Sequence, residues 1–441
     1  MARVLGSRCC HAGRTDAKGA EMVVRVTGLE AVEILDSRGR PTLAVKLRLD
    51  DGTVARSGVP SGASTGSREA VELRDGDGSR FAGRGVVGAV NNVNGEIAEA
   101  ICGRTFADLA EIDHTLIALD GTENKSRLGA NAVVGVSMAA AQALAIVAGR
   151  PLWRALNPPA VTPRLPVPHF NVVNGGMHAP NDLDFQEFMV APLGAPRVAE
   201  AVRAGAEVYA ALRSLLAAEG MATGLGDEGG FAPQIEQPEE VLALLVQAIE
   251  QAGYRTGRDG VAIALDPAAN GFFRDGLYRV AGETLSSDDM IDRYEGIVTR
   301  FPVWSLEDGL AETDWDGWVR LTERLGERVQ LVGDDILVTN PGIIAEAIRR
   351  RAGTAALIKV NQIGTVTETL AAMEVCRAAG WPQMVSHRSG ETEDSFIADL
   401  AVGSGCGQIK SGAPARGERV AKYNRLMEIE AAESLPYGLA G

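Results

Sequence analysis

Lysine and cysteine are both scarce in this chain of 441 residues, and each scarcity is informative. Only six of the 43 basic residues are lysines, so a lysine at the end of an apolar run stands out. The five cysteines are odd in number, and three of them stand singly in apolar segments. This usage is not that of a disulfide framework, and we expect a reduced, cytoplasmic protein.

Positive charge is also in short supply. Acidic residues outnumber basic ones by 58 to 43, which gives a net charge of −15. This balance argues against nucleic acid or an anionic membrane as the main partner. It leaves an anionic small molecule open, because local lysine, arginine or metal can invert the sign of the charge at a site.

The chain also lacks a secretory signal. Residues 1–21 are rich in arginine and glycine without an apolar centre, and we interpret them as a disordered leader or a misplaced start. Residues 128–149 carry no charge and are long enough to cross a membrane. They are rich in alanine and glycine and include Asn131, Ser137 and Gln142, so we predict a buried helix and no membrane span.

Apolar runs in the second half of the chain end repeatedly in a polar residue. Residues 355–358 run into Lys359, which alone would be read as a lysine whose charged end reaches solvent. Five other runs end in the same way, at Asp266, Glu307, Asp334, His387 and Lys410. Segments with helical spacing separate the runs. Six such strand–helix units predict a parallel barrel with its site where the carboxyl ends of the strands meet.

The rest of the chain completes an α/β architecture. Residues 23–59 have the alternation and turns of an antiparallel meander, and helical spacing dominates residues 86–149. Two strands (167–173 and 185–191) and two helices (197–219 and 238–252) precede the six units, which gives the order ββαα(βα)6 and eight strands. We therefore predict an α+β amino-terminal domain at 22–156, a proline-rich linker at 157–168 and a barrel domain at 169–441.

The strand ends supply a metal site and a set of cations. Three carboxylates, Asp266, Glu307 and Asp334, cannot gather in ionised form without a cation, and oxygen ligands favour Mg²⁺. Each carboxylate could instead cap the helix after its strand. Arg388 with the adjacent Ser389 suits a phosphate, and Lys359 beside a bound metal and other cations is expected to have a lowered pKa and act as a base.

Other candidates come from glycine-rich loops. Glu187 and Glu228 could protonate a leaving oxygen, although Glu228 could equally be a turn carboxylate and His178 a surface histidine. Residues 60–67 read either as a flexible surface loop or as a lid or anion-binding loop. A base, a metal and an acid together describe proton abstraction next to a carboxylate, followed by loss of a β-leaving group.

These residues lie in stretches that resemble one family. They are DSRGRPT from Asp36, PSGASTGSREA from Pro60, DGTENKSRLGANA from Asp120, QEFM from Gln186, GDEGGFAP from Gly226, LDPAA from Leu265, LEDGL from Leu306, GDD from Gly333, KVNQIGT from Lys359, SHRSGETED from Ser386, GQIKSGAPAR from Gly407 and ERVAKYN from Glu418. From residue 23 to 430 the chain resembles enolase of the bacterial type, the phosphopyruvate hydratase family. The resemblance implies Mg²⁺-dependent, reversible dehydration of 2-phosphoglycerate to phosphoenolpyruvate in glycolysis and gluconeogenesis, with two Mg²⁺ per active site during turnover.

The resemblance also implies roles for individual residues. Lys359 takes the C2 proton, and Glu228 protonates the departing C3 hydroxyl with Glu187 beside it. The remaining implied roles are the first metal at Asp266, Glu307 and Asp334, the second metal with Ser64, phosphate at Arg388 and Ser389, the substrate carboxylate at Lys410, and pocket lining by Gln186, His178 and His387. A homodimer or octamer is implied as well.

Three positions depart from the family pattern, and two other functions stay open. Met177, Asn270-Gly271 and Gly417 stand beside the motifs where other residues are common, and we expect any effect of theirs to be on loop closure and KM and not on the reaction. Arg388 argues against a related acid dehydratase or racemase, because the substrate of such an enzyme would have no phosphate for Arg388 to bind. A surface-binding role, which would add a cell-surface or secreted presence, is expected at most as an additional function, since nothing in the sequence encodes export.

Overall fold

The amino-terminal part of the chain forms an antiparallel sheet. The computed structural model describes residues 23–63 and 65–439, so the predictions for the leader and for Ser64 lie outside the described residues. Strands β1 (Val24–Leu35), β2 (Pro41–Leu49) and β3 (Val54–Gly58) pair consecutively, and β4 (Thr105–Phe106) joins the other edge of β1. The predicted meander is confirmed.

One helix of this part packs across the sheet and is buried almost all round. The helices are α1 (Val87–Asn92), a π-helical turn (Val93–Ile97), α2 (Ala98–Ile101), α3 (Leu109–Asp120), α4 (Ala130–Val147) and α5 (Leu152–Ala155). Helix α4 is the one described helix long and apolar enough to span a membrane, but 78% of it is buried inside the protein. A Cβ on Gly135 would lie 2.7 Å from Val45 Cγ2, so glycine allows α4 to approach β2 closely. Helix α4 is therefore the predicted core helix.

Eight strands form the closed barrel of the second part. They are β5 (Val167–Asn174), β6 (Glu187–Ala191), β7 (Ala262–Asp266), β11 (Val303–Glu307), β12 (Gln330–Gly333), β13 (Ala355–Ile358), β14 (Gln383–Ser386) and β15 (Gln408–Lys410). Around the barrel they follow the order β11-β12-β13-β14-β15-β5-β6-β7. A small antiparallel sheet that the sequence patterns did not indicate, β8 (Phe273–Arg274), β9 (Leu277–Val280) and β10 (Glu283–Leu285), lies between β7 and the next helix.

Helices alternate with the later strands as predicted. They are α6 (Val198–Ala218), α7 (Pro238–Gln251), α8 (Ser287–Arg300), α9 (Trp315–Leu325), α10 (Pro341–Arg350), α11 (Val360–Ile363), α12 (Val366–Ala378), α13 (Phe396–Ser404) and α14 (Gly417–Ala432). The observed order is ββαα followed by strand–helix units, which confirms the fold class.

The direction of β6 corrects the expectation of a fully parallel barrel. Strand β6 runs antiparallel to both of its neighbours, β5 and β7. The connection from β5 to β6 spans residues 175–186 and contains a single short 3₁₀ turn, whereas a parallel crossover normally carries a helix. The reversal matters for the site, because it places Glu187, the first residue of β6, opposite Asn174 and Asp266 at the carboxyl ends of β5 and β7.

The amino-terminal part reaches the mouth of the barrel through the turn after β1 and the segment after β3. Ser61 forms an isolated antiparallel bridge with Gly390, just beyond β14. A Cβ on Gly390 would lie 2.2 Å from Asp36 Oδ2 and 2.4 Å from Arg38 Nη2, so this contact requires glycine. The two parts therefore meet directly above the strand ends that carry the candidate site.

Candidate active site

The predicted site residues meet at the mouth of the barrel. One cleft is lined by ten residues from the loops and strand ends: His178, Gln186, Glu187, Glu228, Lys359, Ser386, His387, Arg388, Ser389 and Lys410. Nine of these were proposed from the sequence, and Ser386 is the addition. Three further carboxylates contact the lysines of this cleft. Asp334 pairs with Lys359, and Asp266 and Glu307 pair with Lys410. The burial of so many charged groups at one place requires partners for each of them.

Lys410, at the end of β15, is surrounded by carboxylates. Its Nζ lies 2.8 Å from Glu307 Oε1, 3.2 Å from Asp266 Oδ2 and 3.2 Å from Glu187 Oε2. Burial alone would lower the pKa of Lys410, but the attraction of these carboxylates outweighs burial and raises that pKa well above its usual value. Burial, with repulsion from Asp266, raises the pKa of Glu307 well above its usual value. The ammonium group thus offsets part of a local excess of negative charge.

Lys359 follows β13 and pairs with Asp334. Its Nζ donates a hydrogen bond to Asp334 Oδ2, and Gln362 Nε2 donates to Asp334 Oδ1 at 2.8 Å. Burial would lower the pKa of Lys359, but the attraction of Asp334 exceeds this effect and raises the pKa. The lowered pKa predicted from the sequence refers to a lysine beside a bound metal ion, so it stays a prediction; among the side chains alone, the charge of Asp334 outweighs the opposing charges of Arg388 and Lys410.

Glu228 lies among hydrogen-bond donors. Asn171 Nδ2 donates to Glu228 Oε2 at 2.9 Å, and the ring nitrogens His387 Nε2 and His178 Nδ1 lie 3.3 and 3.6 Å from its two oxygens. Burial would raise the pKa of Glu228, but His178 and His387 outweigh it and hold that pKa well below its usual value. Burial and repulsion from Glu228 raise the pKa of Glu187 well above its usual value. Of the two carboxyl groups, Glu187 is the one that favours the protonated form.

Arg419 in α14 orients His387. Its Nη1 donates to His387 Nδ1 at 2.6 Å and to the carbonyl oxygen of Arg388 at 2.7 Å, and its Nη2 donates to the carbonyl oxygen of Ser389 at 2.6 Å. A guanidinium only donates, so His387 Nδ1 accepts and its proton resides on Nε2, facing Glu228. Burial lowers the pKa of His387 to about 4, so the ring is neutral at neutral pH.

Arg388 and Ser389 lie between the two parts of the protein. Arg388 Nη1 donates to Glu69 Oε2 at 2.8 Å and to Asn361 Oδ1 at 3.0 Å. Ser389 Oγ accepts a hydrogen bond from Arg38 Nη1 at 3.1 Å. The sequence reasoning placed Arg388 and Ser389 here, but it missed Glu69 and Arg38, which lie more than 300 residues earlier in the chain.

The acidic groups fit a hard divalent cation. Oxygens of Asp308, Asp334 and Asp335 lie within 4.8 Å of one another, and all three side chains are buried. Burial, with added repulsion from Asp334, raises the pKa of Asp335 to about 7. Two of the predicted ligands, Asp266 and Glu307, contact Lys410, whereas the third, Asp334, pairs with Lys359. All three are buried carboxylates at the carboxyl-end face of the barrel. An all-oxygen set of this kind suits Mg²⁺ better than Zn²⁺.

Of the positions that depart from the family pattern, one contacts these carboxylates. Asn270 Nδ2 donates to Asp335 Oδ2 at 2.8 Å, and its Oδ1 accepts from the backbone nitrogen of Glu312 at 2.9 Å. Met177 is largely exposed, and a side chain at Gly271 or Gly417 would enter open space. The effect of these positions on loop closure stays a prediction.

Comparison with known proteins agrees with this geometry. Residues 26–156 match the family model described as "Enolase, N-terminal domain", and residues 162–437 match the one described as "Enolase, C-terminal TIM barrel domain". The chain belongs to the enolase family. It is 54% identical over 410 residues to a protein named Enolase from Rubrobacter xylanophilus (strain DSM 9941), which covers 92% of this chain and 95% of the relative. Enolase family membership makes the protein a lyase, and it implies a divalent metal at the acidic groups described above.

Proposed function

We propose that the protein catalyses the reversible dehydration of 2-phosphoglycerate to phosphoenolpyruvate. The observation that carries this proposal is the arrangement of charges across the mouth of the barrel. Strands β13 and β6 are four strands apart in a barrel of eight, so Lys359 and Glu187 approach the cleft from opposite sides. A base on one side and an acid on the other is what removal of a C2 proton and a C3 hydroxyl requires.

Lys359 is the proposed base for the C2 proton. Its Nζ is buried at the end of β13 and lines the cleft. The positive charges of Arg388 and Lys410 oppose protonation, whereas Asp334 favours it. Because a neutral amine is needed to accept the proton, the balance among these three neighbours sets the fraction of active enzyme.

Glu228 is the proposed donor to the departing hydroxyl, with Glu187 as its partner. Asn171 Nδ2 donates to Glu228 Oε2, and His387 Nε2 lies 3.3 Å from the same oxygen, so both neighbours restrict the direction of the carboxyl group. His178 Nδ1 lies 4.0 Å from Glu187 Oε1 and 3.6 Å from Glu228 Oε1, so the ring stands beside both carboxyl groups. We propose that the pair carries one proton and delivers it through Glu228.

Cations on the chain receive the anionic ends of the substrate. Arg388 and Ser389 are proposed to hold the phosphate, and Lys410 is proposed to face the carboxylate. Gln186 and His387 line the same cleft and complete the proposed contacts. A substrate without a phosphate would make no use of the adjacent Arg388 and Ser389 side chains that line the cleft, which argues against a related acid dehydratase or racemase.

The metal is proposed to be Mg²⁺, with two ions per active site during turnover. Asp266, Glu307 and Asp334 would hold the first ion, and Ser64, outside the described residues, would contribute to the second. A bound divalent cation would supply positive charge. This charge would stabilise the substrate carboxylate together with the additional negative charge that develops beside it. The chain's own part is to keep the ligands buried and correctly spaced.

Turnover by the purified protein tests this function. With 2-phosphoglycerate and millimolar Mg²⁺, we expect the ultraviolet absorbance of an enol phosphate to rise, and we expect a chelator to abolish the rise. An unchanged absorbance in the presence of Mg²⁺ would refute the proposal. A homodimeric or octameric assembly, a cytoplasmic location and domain boundaries at residues 157–168 also stay predictions.

A further inference from the structure

Glu69 is a buried acidic residue for which the proposed mechanism has no role. It follows the segment 60–67, and its side chain is only 8% exposed. Its Oε2 accepts a hydrogen bond from Arg388 Nη1 at 2.8 Å, and its Oε1 accepts one from Arg388 Nη2 at 3.2 Å. The two groups therefore form a bidentate ion pair, which fixes both the position and the plane of the guanidinium.

Arg388 depends on this pair for its orientation. Its side chain is 2% exposed, and a buried guanidinium without hydrogen-bonding partners would be strongly unfavourable. Asn361 Oδ1 accepts from the same Nη1 at 3.0 Å, but a neutral amide fixes the direction of one N–H only. Glu69 accepts a hydrogen bond from each of the two terminal nitrogens.

Glu69 also contacts the segment that precedes it. The backbone nitrogen of Gly66 donates to Glu69 Oε1 at 3.1 Å. A Cβ on Gly66 would lie 2.7 Å from Val338 Cγ1 and 3.0 Å from the carbonyl oxygen of Asp335, so this residue is packed tightly against the turn after β12. The position of the Glu69 carboxylate is therefore set by backbone as well as by Arg388.

A third contact connects Glu69 to the metal carboxylates. Gln362 Nε2 donates both to Glu69 Oε1, at 3.2 Å, and to Asp334 Oδ1, at 2.8 Å. Asp334 in turn accepts from Lys359. The Glu69 carboxylate therefore contacts Arg388 directly and is connected to the proposed base, Lys359, through three successive hydrogen bonds by way of Gln362 and Asp334.

We propose that Glu69 is a positioning residue that fixes the guanidinium of Arg388 for phosphate and ties it to the base of the segment 60–67. The identity of the ligand as a phosphate rests on the proposed function. Glu69 acts through Arg388 and has no contact of its own with the reacting atoms. Its carboxylate repels an anion, so its benefit must come from orientation.

Glu312 offers a matched control. Its Oε2 accepts a hydrogen bond from the backbone nitrogen of Ser67 at 3.0 Å, so it also anchors the base of the segment 60–67. No described contact joins Glu312 to Arg388. Glu69→Gln and Glu312→Gln each remove one carboxylate charge from this segment, but only the first removes the partner of the guanidinium.

The experiment measures binding of inorganic phosphate by calorimetry, alongside steady-state kinetics with 2-phosphoglycerate. For Glu69→Gln we expect the phosphate Kd and the KM to rise about ten-fold or more, with a smaller fall in kcat. For Glu312→Gln we expect a phosphate Kd within about two-fold of the unmodified protein. Glu69→Asp, which keeps the charge but is shorter by one methylene, should lie between the two and serves if the glutamine variant fails to fold.

Two results would overturn the proposal. An unchanged or lower phosphate Kd in Glu69→Gln would mean that Glu69 merely competes with anions for Arg388. Equal increases in Glu69→Gln and Glu312→Gln would mean that both residues only anchor the segment. Calorimetry does not require turnover, so failure of the unmodified protein to dehydrate 2-phosphoglycerate would refute the proposed function and leave the comparison of phosphate affinities intact.

Discussion

Replacing Asp113 by asparagine should stabilise the protein above pH 6. Asp113 lies in α3 with no exposed surface, and its Oδ2 accepts a hydrogen bond from the backbone nitrogen of Thr367 at 2.9 Å. Its Oδ1 accepts no hydrogen bond of good geometry, and the nearby hydroxyl is that of Ser137. Burial raises the pKa of Asp113 to about 6, from 3.8 for an unperturbed aspartate. An asparagine can keep the Thr367 contact through its Oδ1 and donate from Nδ2 to the Ser137 hydroxyl, without a buried charge.

The sign of the effect follows from proton binding. Between about pH 4 and pH 6 the folded protein holds a proton on Asp113 that the unfolded chain has released, so stability falls as pH rises through this window. The shift of about two pKa units corresponds to about 3 kcal/mol of unfolding free energy lost by pH 7. The asparagine variant does not titrate, so its advantage should grow from pH 4 to pH 6 and then stay constant.

The assay is the melting temperature of the variant and the unmodified protein from pH 5 to pH 8. Glu99→Gln, an exposed site in α2, controls for the loss of one negative charge. We expect the difference for Asp113→Asn to increase between pH 5 and pH 6.5 and the control to show no such increase. A difference that does not depend on pH, or a variant that is less stable at pH 7.5, would refute the reasoning.

Two further variants probe the site. Asp266→Asn removes the charge of a buried ligand, and we expect the Mg²⁺ concentration for half-maximal activity to rise about ten-fold or more in a metal titration of initial rates; an unchanged metal requirement would exclude Asp266 as a ligand. Arg419→Lys keeps the positive charge but loses the planar guanidinium that donates to His387. We expect kcat/KM to fall about ten-fold and nitrogen NMR to show an altered tautomer of His387. Activity equal to that of the unmodified protein would contradict this role for Arg419.

The barrel and its mouth were predictable because strand ends carry a strong local signal. Lys359 and Lys410 each follow a short apolar run, and the parallel order brings such ends to one face. The direction of β6 was not predictable from apolar runs alone, since alternation and length do not report strand direction. Because β6 is reversed, its first residue, Glu187, lies at the mouth of the barrel. The pattern of apolar runs that end in a polar residue identifies only residues at the carboxyl ends of strands.

The residues that orient the site were not predictable because their partners are remote in sequence. Arg419 meets His387 from a neighbouring helix, and Glu69 meets Arg388 across 319 positions. The sequence did mark both indirectly, because Glu69 and Arg419 lie within the stretches beginning at Pro60 and Glu418 that carry the family resemblance. The pKa of Lys359 also needed coordinates, since it depends on the balance between burial and the charges of Asp334, Arg388 and Lys410.

Exchange of the C2 hydrogen of 2-phosphoglycerate with deuterated water is the most direct test of Lys359 as the proposed base. Proton NMR would follow the C2 signal with the unmodified protein, Lys359→Ala and Glu228→Gln. We expect the signal to be lost with the unmodified protein and with Glu228→Gln, because this variant should exchange the proton without dehydrating the substrate. With Lys359→Ala we expect no loss of the signal. Exchange by Lys359→Ala at the rate of the unmodified protein would contradict the assignment of the base.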